Sequence, residues 1–322
     1  MLNRENPRSA FTEVRSYMEK FDIRFGNCEV VLSSEGELNP FIKNPQRGGE
    51  KMIDGLLGIV NVVSVANNKA MGFGWEGLNG TMEVLRRHHI MCAGAGRNVD
   101  EAFEPVFLEK NGIEIAFLCF DATPIIFLGK ATEELPGIAK ISVNSLFPPP
   151  HVDLFALERA TKEITAASAQ ADFVVVSCHW GTEGPMAATY QSELGKAFID
   201  AGADLVLGHH THAPQGVEVH NGRLICHSLG NFVLDHKLRS YLRESGNDTM
   251  AFECTVTQSG MKDAAICPAT LNVVNGRDQP EILATDDKRG QTVAENIEKL
   301  SKYFGTTLVR RDGKLFIDCC DS

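Results

Sequence analysis

The stretch VNVVSVANNKAMGFGWEGL, Val60–Leu78, decides how this chain is read. An apolar run rich in β-branched residues stops abruptly at Asn67-Asn68 and is followed by Lys69, Gly72 and Gly74. β-Branched side chains suit a buried pleated surface. Asparagine does not, but its amide oxygen can face a ligand. The pattern predicts a buried strand that delivers two amides at its carboxyl end. Beyond it, WEGLNGTMEVLRRHHI (Trp75–Ile90) has helical spacing, so the unit reads strand, turn, helix.

Working outward, the same alternation continues. PRSAFTEVRSYMEKF (Pro7–Phe21) is helical in period, and DIRFGN (Asp22–Asn27) is a short strand. Pro105–Phe120 is a hairpin around Asn111-Gly112, the dipeptide of a tight two-residue turn. A helix over Asp153–Gln170, a buried strand over Ala171–Trp180, a helix over Thr189–Ala203 and a strand over Asp204–His212 follow. Gly216–Asp235 is a second hairpin, turning at Asn221-Gly222. From Met250 onward the pattern is mostly strand, with one late helix at Thr292–Phe304. Strand–helix–strand units first and hairpins later predict mixed sheets covered by helices, a layered α/β fold. No break in composition demands a second domain. The chain reads as one domain over 1–322, with its motifs in about 1–236 and a β-rich completion over about 250–322. Ser142–Pro150 reads as a connection or lid.

Composition narrows the function classes. With 43% hydrophobic and 23% charged residues over 322 positions, the chain can build an ordinary core. A formal net charge of −11 argues against nucleic acid as the main partner, because phosphate backbones want a basic surface. A small molecule or a polymer is the expected substrate; the oligomeric state is not legible. The nine cysteines include no CxxC pair, and Cys119 and Cys178 lie inside apolar runs, so buried free thiols are expected. The first residues, MLNRENPRSAF, show no apolar signal core, and no run approaches the ~18 apolar residues of a membrane span. As written the chain reads as cytoplasmic, although a lost N-terminus could have carried an anchor.

Four strand ends finish in potential ligands. They are Asn27 and Glu29 in FGNCE, Asn67 and Asn68 in ANN, His179 and Glu183 in CHWGTE, and His209, His210 and His212 in GHHTH. In open α/β sheets, sites gather at the carboxyl ends of strands. Imidazole, carboxylate and amide oxygen together suit Mn, Fe, Zn or Mg, as one ion or two. Each feature has a plainer reading: His179 as a polar cap, Glu29 as a solvated turn residue, Asn67-Asn68 as a left-handed turn. Three histidines in four positions after an apolar strand are harder to place without a purpose. His88 and His89 read as helix-end charge, and His220, His227 and His236 as solvated or hydrogen-bonded groups, His227 being the least certain. Gly94–Asn98 (GAGRN) lacks the third glycine and the lysine of a phosphate loop.

Taken in order, VANNKAMGFGWEGL, CAGAGRNVDEAFEPV, HWGTE, QSELGKAFIDAGADLVLGHHTHAPQGVEV and GRLICHSLGNFVLD resemble the CapA family of bacterial capsule-synthesis or poly-gamma-glutamate-synthesis proteins. That family belongs to the calcineurin-like metallophosphoesterase superfamily. The resemblance runs from about Met1 to Asp235 and implies a four-layer α/β/β/α sandwich with a dinuclear metal centre in active relatives. Carried over by position, it implies Glu29, Asn68, His179, His210 and His212 as ligands. Asn27, Asn67, Glu183 and Asn231 would stand behind the ligands or touch substrate, and His209 would be catalytic, a ligand or a supporting group.

Two departures accompany the resemblance. Relatives begin with an apolar strand ending in Gly-Asp, whereas this sequence starts at residues like those that follow it, so the fold is expected to lack its first strand and that aspartate. The usual Asn-Asn-His-x-x-Asp motif reads Asn67-Asn68-Lys69-Ala70-Met71-Gly72, with Lys69 in the place of a catalytic histidine and Gly72 in that of the aspartate. An ammonium can stabilise phosphate charge but is a poor proton donor at neutral pH, with an ordinary pKa of ~10.4. The expected activity is metal-dependent hydrolysis of a phosphoester-type substrate in capsule or poly-gamma-glutamate synthesis. The alternatives are a catalytically degenerate binding or assembly protein and a hydrolase of an amide-type polymer.

Overall fold

The computed structural model describes residues 6–124, 129–144, 150–234, 246–274 and 277–317. His236, Asp235 and most of the Ser142–Pro150 connection (residues 145–149) therefore lie outside the described residues. The fold is mixed α/β, as the alternation of periods predicted. A three-stranded parallel sheet holds β1 (Phe25–Asn27), β2 (Val62–Ser64) and β3 (Met91–Ala93) in that order. A six-stranded sheet has the order β8-β9-β7-β6-β5-β4, from β4 (Val106–Lys110), β5 (Ile113–Ala122), β6 (Phe173–Trp180), β7 (Leu205–His209), β8 (Val217–His220) and β9 (Arg223–Cys226). A five-stranded antiparallel sheet follows: β10 (Asp248–Thr257), β11 (Gly260–Val274), β12 (Arg277–Ile282), β13 (Leu308–Arg311) and β14 (Lys314–Ile317). The longer helices are α1 (Gly74–Arg87), α2 (Leu154–Ser168), α3 (Thr189–Asp200) and α4 (Lys288–Lys302).

The chain divides into two compact units. The first holds Met1–Val106, Phe117–Glu163 and Ser177–His179; the second holds Phe107–Ala116, Ile164–Val176 and Trp180–Ser322. In the first unit, β1, β2 and β3 run in one register, with Phe25 level with Val62 and Met91, and Asn27 level with Ser64 and Ala93. Parallel neighbours need a crossover, and α1 supplies the one between β2 and β3. Its inward stripe is Leu78, Thr81, Met82 and Leu85, three and four residues apart. Phe25 stacks on Phe117 with ring centroids 5.5 Å apart, beside the cluster of Ala66, Ala93 and Cys119. The helix expected over Pro7–Phe21 is shorter than its period suggests: a 3-10 turn at Pro7–Phe11, then a single α-turn at Arg15–Met18.

In the second unit, the Asn221-Gly222 turn forms as predicted. Both residues are left-handed (φ 49 and 71), and His220 pairs with Arg223 across it. The Asn111-Gly112 turn repeats this with φ 55 and 77. Strand β6 is buried at every residue, which explains its apolar run Phe173–Val176. Among the described residues Cys28, Cys92, Cys119, Cys178, Cys226, Cys254 and Cys267 are free thiols. Burial raises the Cys28 and Cys119 thiols to about 12 and Cys92 to about 11, so they are unreactive hydrophobes rather than nucleophiles. Among the described residues no helix is long and apolar enough to cross a membrane.

Candidate functional site

In the first unit the expected residues gather after β1 and β2. Asn67, wholly buried, uses up its amide on the backbone around it. Its Nδ2 donates to the Cys28 carbonyl (3.0 Å) and to Asn27 Oδ1 (3.4 Å), and its Oδ1 accepts from the Lys69 amide (3.1 Å). Asn67 therefore fixes both strand ends and leaves Asn68 as the amide to be presented. Asn68 is buried as well, and its Oδ1 has no hydrogen-bond partner. An unsatisfied buried amide oxygen costs about 1–3 kcal/mol, a penalty that a positively charged ligand would remove.

Glu29 and His179 also meet in this unit. His179 lies at the end of β6, buried, and its Nε2 is 3.9 Å from Glu29 Oε1. That is too long for a hydrogen bond and near the ~3.0–3.4 Å between two donors each ~2.1 Å from one ion. The Lys69 ammonium donates to the Lys43 carbonyl at 2.7 Å. The loop carrying Lys43 also covers Gly72: its Pro45 Cβ would lie 2.4 Å from a methyl group at position 72, and the Gly72 carbonyl accepts from the Asn39 amide. No side chain fits at Gly72 while this loop is in place.

In the second unit the histidine turn follows β7. His210 and His212 both have positive φ (93 and 60), a backbone state uncommon for residues other than glycine and found where surrounding structure enforces it. Their ring centroids are 6.1 Å apart. Asn231 clamps His212 from two directions: its Oδ1 accepts from His212 Nδ1 (2.8 Å) and its Nδ2 donates to the His212 carbonyl (3.0 Å). An amide oxygen only accepts, so the His212 proton sits on Nδ1 and Nε2 keeps its lone pair, the arrangement a metal-binding histidine needs. Burial pushes His209 down to about 4, so this ring is neutral at pH 7. Glu183 is exposed in the loop after β6.

His209 gives a pH prediction for the metal-free chain. The unfolded ring takes a proton near 6.5, the folded one only near 4, so between these values the unfolded state binds more protons. Stability falls as pH falls through that window, by on the order of 3 kcal/mol at its lower end. Urea unfolding from pH 7 to 4.5 should show a steeper decline in the wild type than in His209→Gln. Equal declines would contradict the assignment.

The donor set fits a divalent ion in kind. The first unit offers a buried unpartnered amide oxygen and a carboxylate near an imidazole, and the second an imidazole whose Nδ1 is held by Asn231. Among the described residues no three His, Cys, Asp or Glu side chains converge as a metal-holding group. Asn68 supplies a donor of a different type. Two further histidines are used structurally: His220 pairs with Asp200 at 2.8 Å and His227 with Glu218 at 2.9 Å. Gly94–Asn98 is no phosphate loop, since Asn98 caps the short helix Val99–Phe103 and Arg97 pairs with Glu101. Three buried charged groups escaped sequence reasoning, Lys140, its partner Asp121 and Glu218; the one hint was a lysine inside the apolar stretch Ile138–Ile141.

A bacterial capsule synthesis family, PGA_cap, matches residues 1–236. The capsule biosynthesis protein CapA of Bacillus anthracis is 28% identical over 295 residues, covering 90% of this chain and 67% of that protein. The PGA biosynthesis protein CapA of Bacillus subtilis (strain 168) is 29% identical, covering 80% of this chain and 61% of that one. The chain thus spans about two thirds of the length of these relatives. Among solved structures, a hypothetical protein from Thermus thermophilus aligns over 86% of this chain and 94% of its own, with TM-score 0.44 and 16% identity. A phosphatase from Mycoplasma pneumoniae aligns over 88% and 93%, with TM-score 0.44 and 13% identity.

Proposed function

The chain belongs to the bacterial capsule synthesis protein PGA_cap family, and from that premise we propose that it is a metal-dependent hydrolase of a phosphoester-type substrate, acting in capsule or poly-gamma-glutamate biosynthesis. The observation that carries the reading is the buried Asn68 Oδ1 without a hydrogen-bond partner. In the first unit Glu29, Asn68 and His179 are the side chains that would hold Mn, Fe, Zn or Mg; in the second unit His210 and His212 carry donors of the same kind, so one ion or two would be bound. Bound there, a divalent ion would polarise a phosphoryl oxygen and lower the pKa of water.

The protein's own residues have separable tasks. Asn67 holds the strand end so that Asn68 is presented, and Asn231 sets the tautomer and angle of His212. Lys69 supplies a compact positive charge that can exchange the Lys43 carbonyl for an anionic oxygen of the substrate. His209, neutral at pH 7, can act as a ligand or support one. The relatives' names place them in capsule and poly-gamma-glutamate synthesis, and this supports the same setting here.

One observation favours a second reading, a catalytically degenerate binding protein. Lys69 is engaged by the Lys43 carbonyl, and Gly72 is packed under Pro45 at the position where the resembled family motif implies an aspartate. The two readings separate in one experiment. After reconstitution with Mn2+, metal content and hydrolysis of p-nitrophenyl phosphate and bis-p-nitrophenyl phosphate are measured in the wild type and in His210→Ala. The hydrolase reading expects bound metal and a turnover that falls at least ~100-fold in His210→Ala, the scale of losing a group from the reacting centre. Bound metal without turnover supports the binding protein, and neither metal nor turnover sinks the hydrolase.

A further inference from the structure

We propose that the buried pair Glu218–His227 is a positioning device for the histidine turn, holding the backbone from which His209, His210 and His212 project. The proposal rests on the reading of those histidines as metal donors only where it concerns metal affinity. All of the residues involved lie in the second unit.

The path from the pair to the turn consists of direct contacts. Gly208, the residue before His209, is pressed between two groups: a methyl group at this position would lie 2.0 Å from the His227 carbonyl oxygen and 2.5 Å from Trp180 Nε1. Those two groups are tied together, because Trp180 Nε1 donates to the His227 carbonyl at 2.8 Å. The Gly208 carbonyl accepts from the Leu229 amide, two residues beyond His227. The backbone at 227–229 is therefore the floor on which Gly208 and the following histidines sit, and its position follows from where His227 is anchored.

The His227 ring is wholly buried. It stacks on Phe304 with centroids 4.3 Å apart and on Trp180 at 6.1 Å. Among the described residues its one hydrogen bond runs from Nε2 to Glu218 Oε2, and Nδ1 has no hydrogen-bond partner. Glu218 is held from α3: the Ser192 hydroxyl reaches both carboxylate oxygens (3.0 and 2.8 Å), and Lys196 Nζ lies 2.8 Å from Oε1. Burial alone would raise this carboxyl, but the hydrogen bonds from His227, Lys196 and Ser192 bring it down to about 2, so it is ionised at neutral pH. An ionised carboxylate only accepts, so the imidazole is fixed with its proton on Nε2. A buried, charge-compensated anchor of this kind gives the ring one rotamer and one tautomer, more than a plain core contact requires. Carboxylate–histidine support behind a metal site is known to tune affinity about 10- to 100-fold. Here that support acts one step further back, through the main chain.

The test uses the full chain, stripped of metal, in four forms: wild type, Glu218→Gln, Trp180→Phe and Ile297→Val. The last removes one methylene from the buried face of α4 and controls for general destabilisation. Two readouts are taken: Mn2+ affinity by titration, and hydrogen exchange of the Leu229 amide without metal. The expectation is a 10- to 100-fold loss of Mn2+ affinity in Glu218→Gln and a smaller loss in Trp180→Phe, with faster Leu229 exchange in both. Ile297→Val should keep the wild-type affinity. Equal loss of affinity in Ile297→Val would overturn the proposal, because the effect would then be stability alone. Unchanged Leu229 exchange in Glu218→Gln would overturn it as well. Failure of the wild type to bind Mn2+ would instead sink the metal reading, and the exchange arm would still decide whether the pair positions the turn.

Discussion

Lys140→Met should lower the stability of the chain by about 3–5 kcal/mol, the largest effect expected of any single substitution away from the candidate site. Lys140 and Asp121 are both almost fully buried in the first unit and form an ion pair. The Lys140 ammonium also donates to the Thr123 carbonyl (2.7 Å) and hydroxyl (2.9 Å), so all three of its protons are used. Asp121 is less well satisfied: its Oδ1 accepts from Lys140 and from Thr123, while Oδ2 has no hydrogen-bond partner. Removing the lysine leaves a buried carboxylate with only the Thr123 groups for support. The double variant Asp121→Leu/Lys140→Met should recover most of the loss, since a buried pair is worth little against apolar residues of similar size. Urea unfolding of the three proteins measures this. A loss below about 1 kcal/mol in Lys140→Met would show that the pair is not desolvated as described.

Asn68→Leu should act with opposite signs in the two states of the protein. Without metal, the variant replaces a buried oxygen that has no partner by an apolar group of similar shape, so stability should rise, by up to about 1–3 kcal/mol. With metal, the same change removes a donor, and Mn2+ affinity should fall by at least ~10-fold. A merely structural asparagine predicts the reverse: a less stable metal-free chain and an unaltered affinity. Asn67→Leu provides the contrast. Its amide is fully engaged by Asn27, Cys28 and Lys69, so it should destabilise the chain whether or not metal is present.

Much of this was legible in the sequence where the signal was local. Asn111-Gly112 and Asn221-Gly222 turned as their dipeptides required, because positive φ is a property of the turn itself. The apolar run Phe173–Val176 marked a strand buried on both faces. At the candidate site the sequence distinguished the residue types but not their division of labour. Asn67 and Asn68 are adjacent amides, and only tertiary contacts to Cys28 and Asn27 show that one is structural and the other presented. Lys69 could be recognised as a substitution for histidine. That its ammonium rests on the Lys43 carbonyl depends on a loop without any period to read. Glu218 sits in the alternating stretch Val217–His220 and reads as solvent-facing. Its partners Ser192 and Lys196 come from a helix more than twenty residues earlier in the chain.

The central claim is that Asn68 and the carboxylate and imidazole groups grouped with it hold a divalent cation. Its most direct test is a Mn2+ titration of the chelator-treated wild-type chain, followed by electron paramagnetic resonance, with Asn68→Leu alongside. The account predicts saturable binding of one or two ions per chain and a clear weakening in the variant. Mn2+ that stays free throughout the titration, or wild type and variant that bind alike, would contradict it.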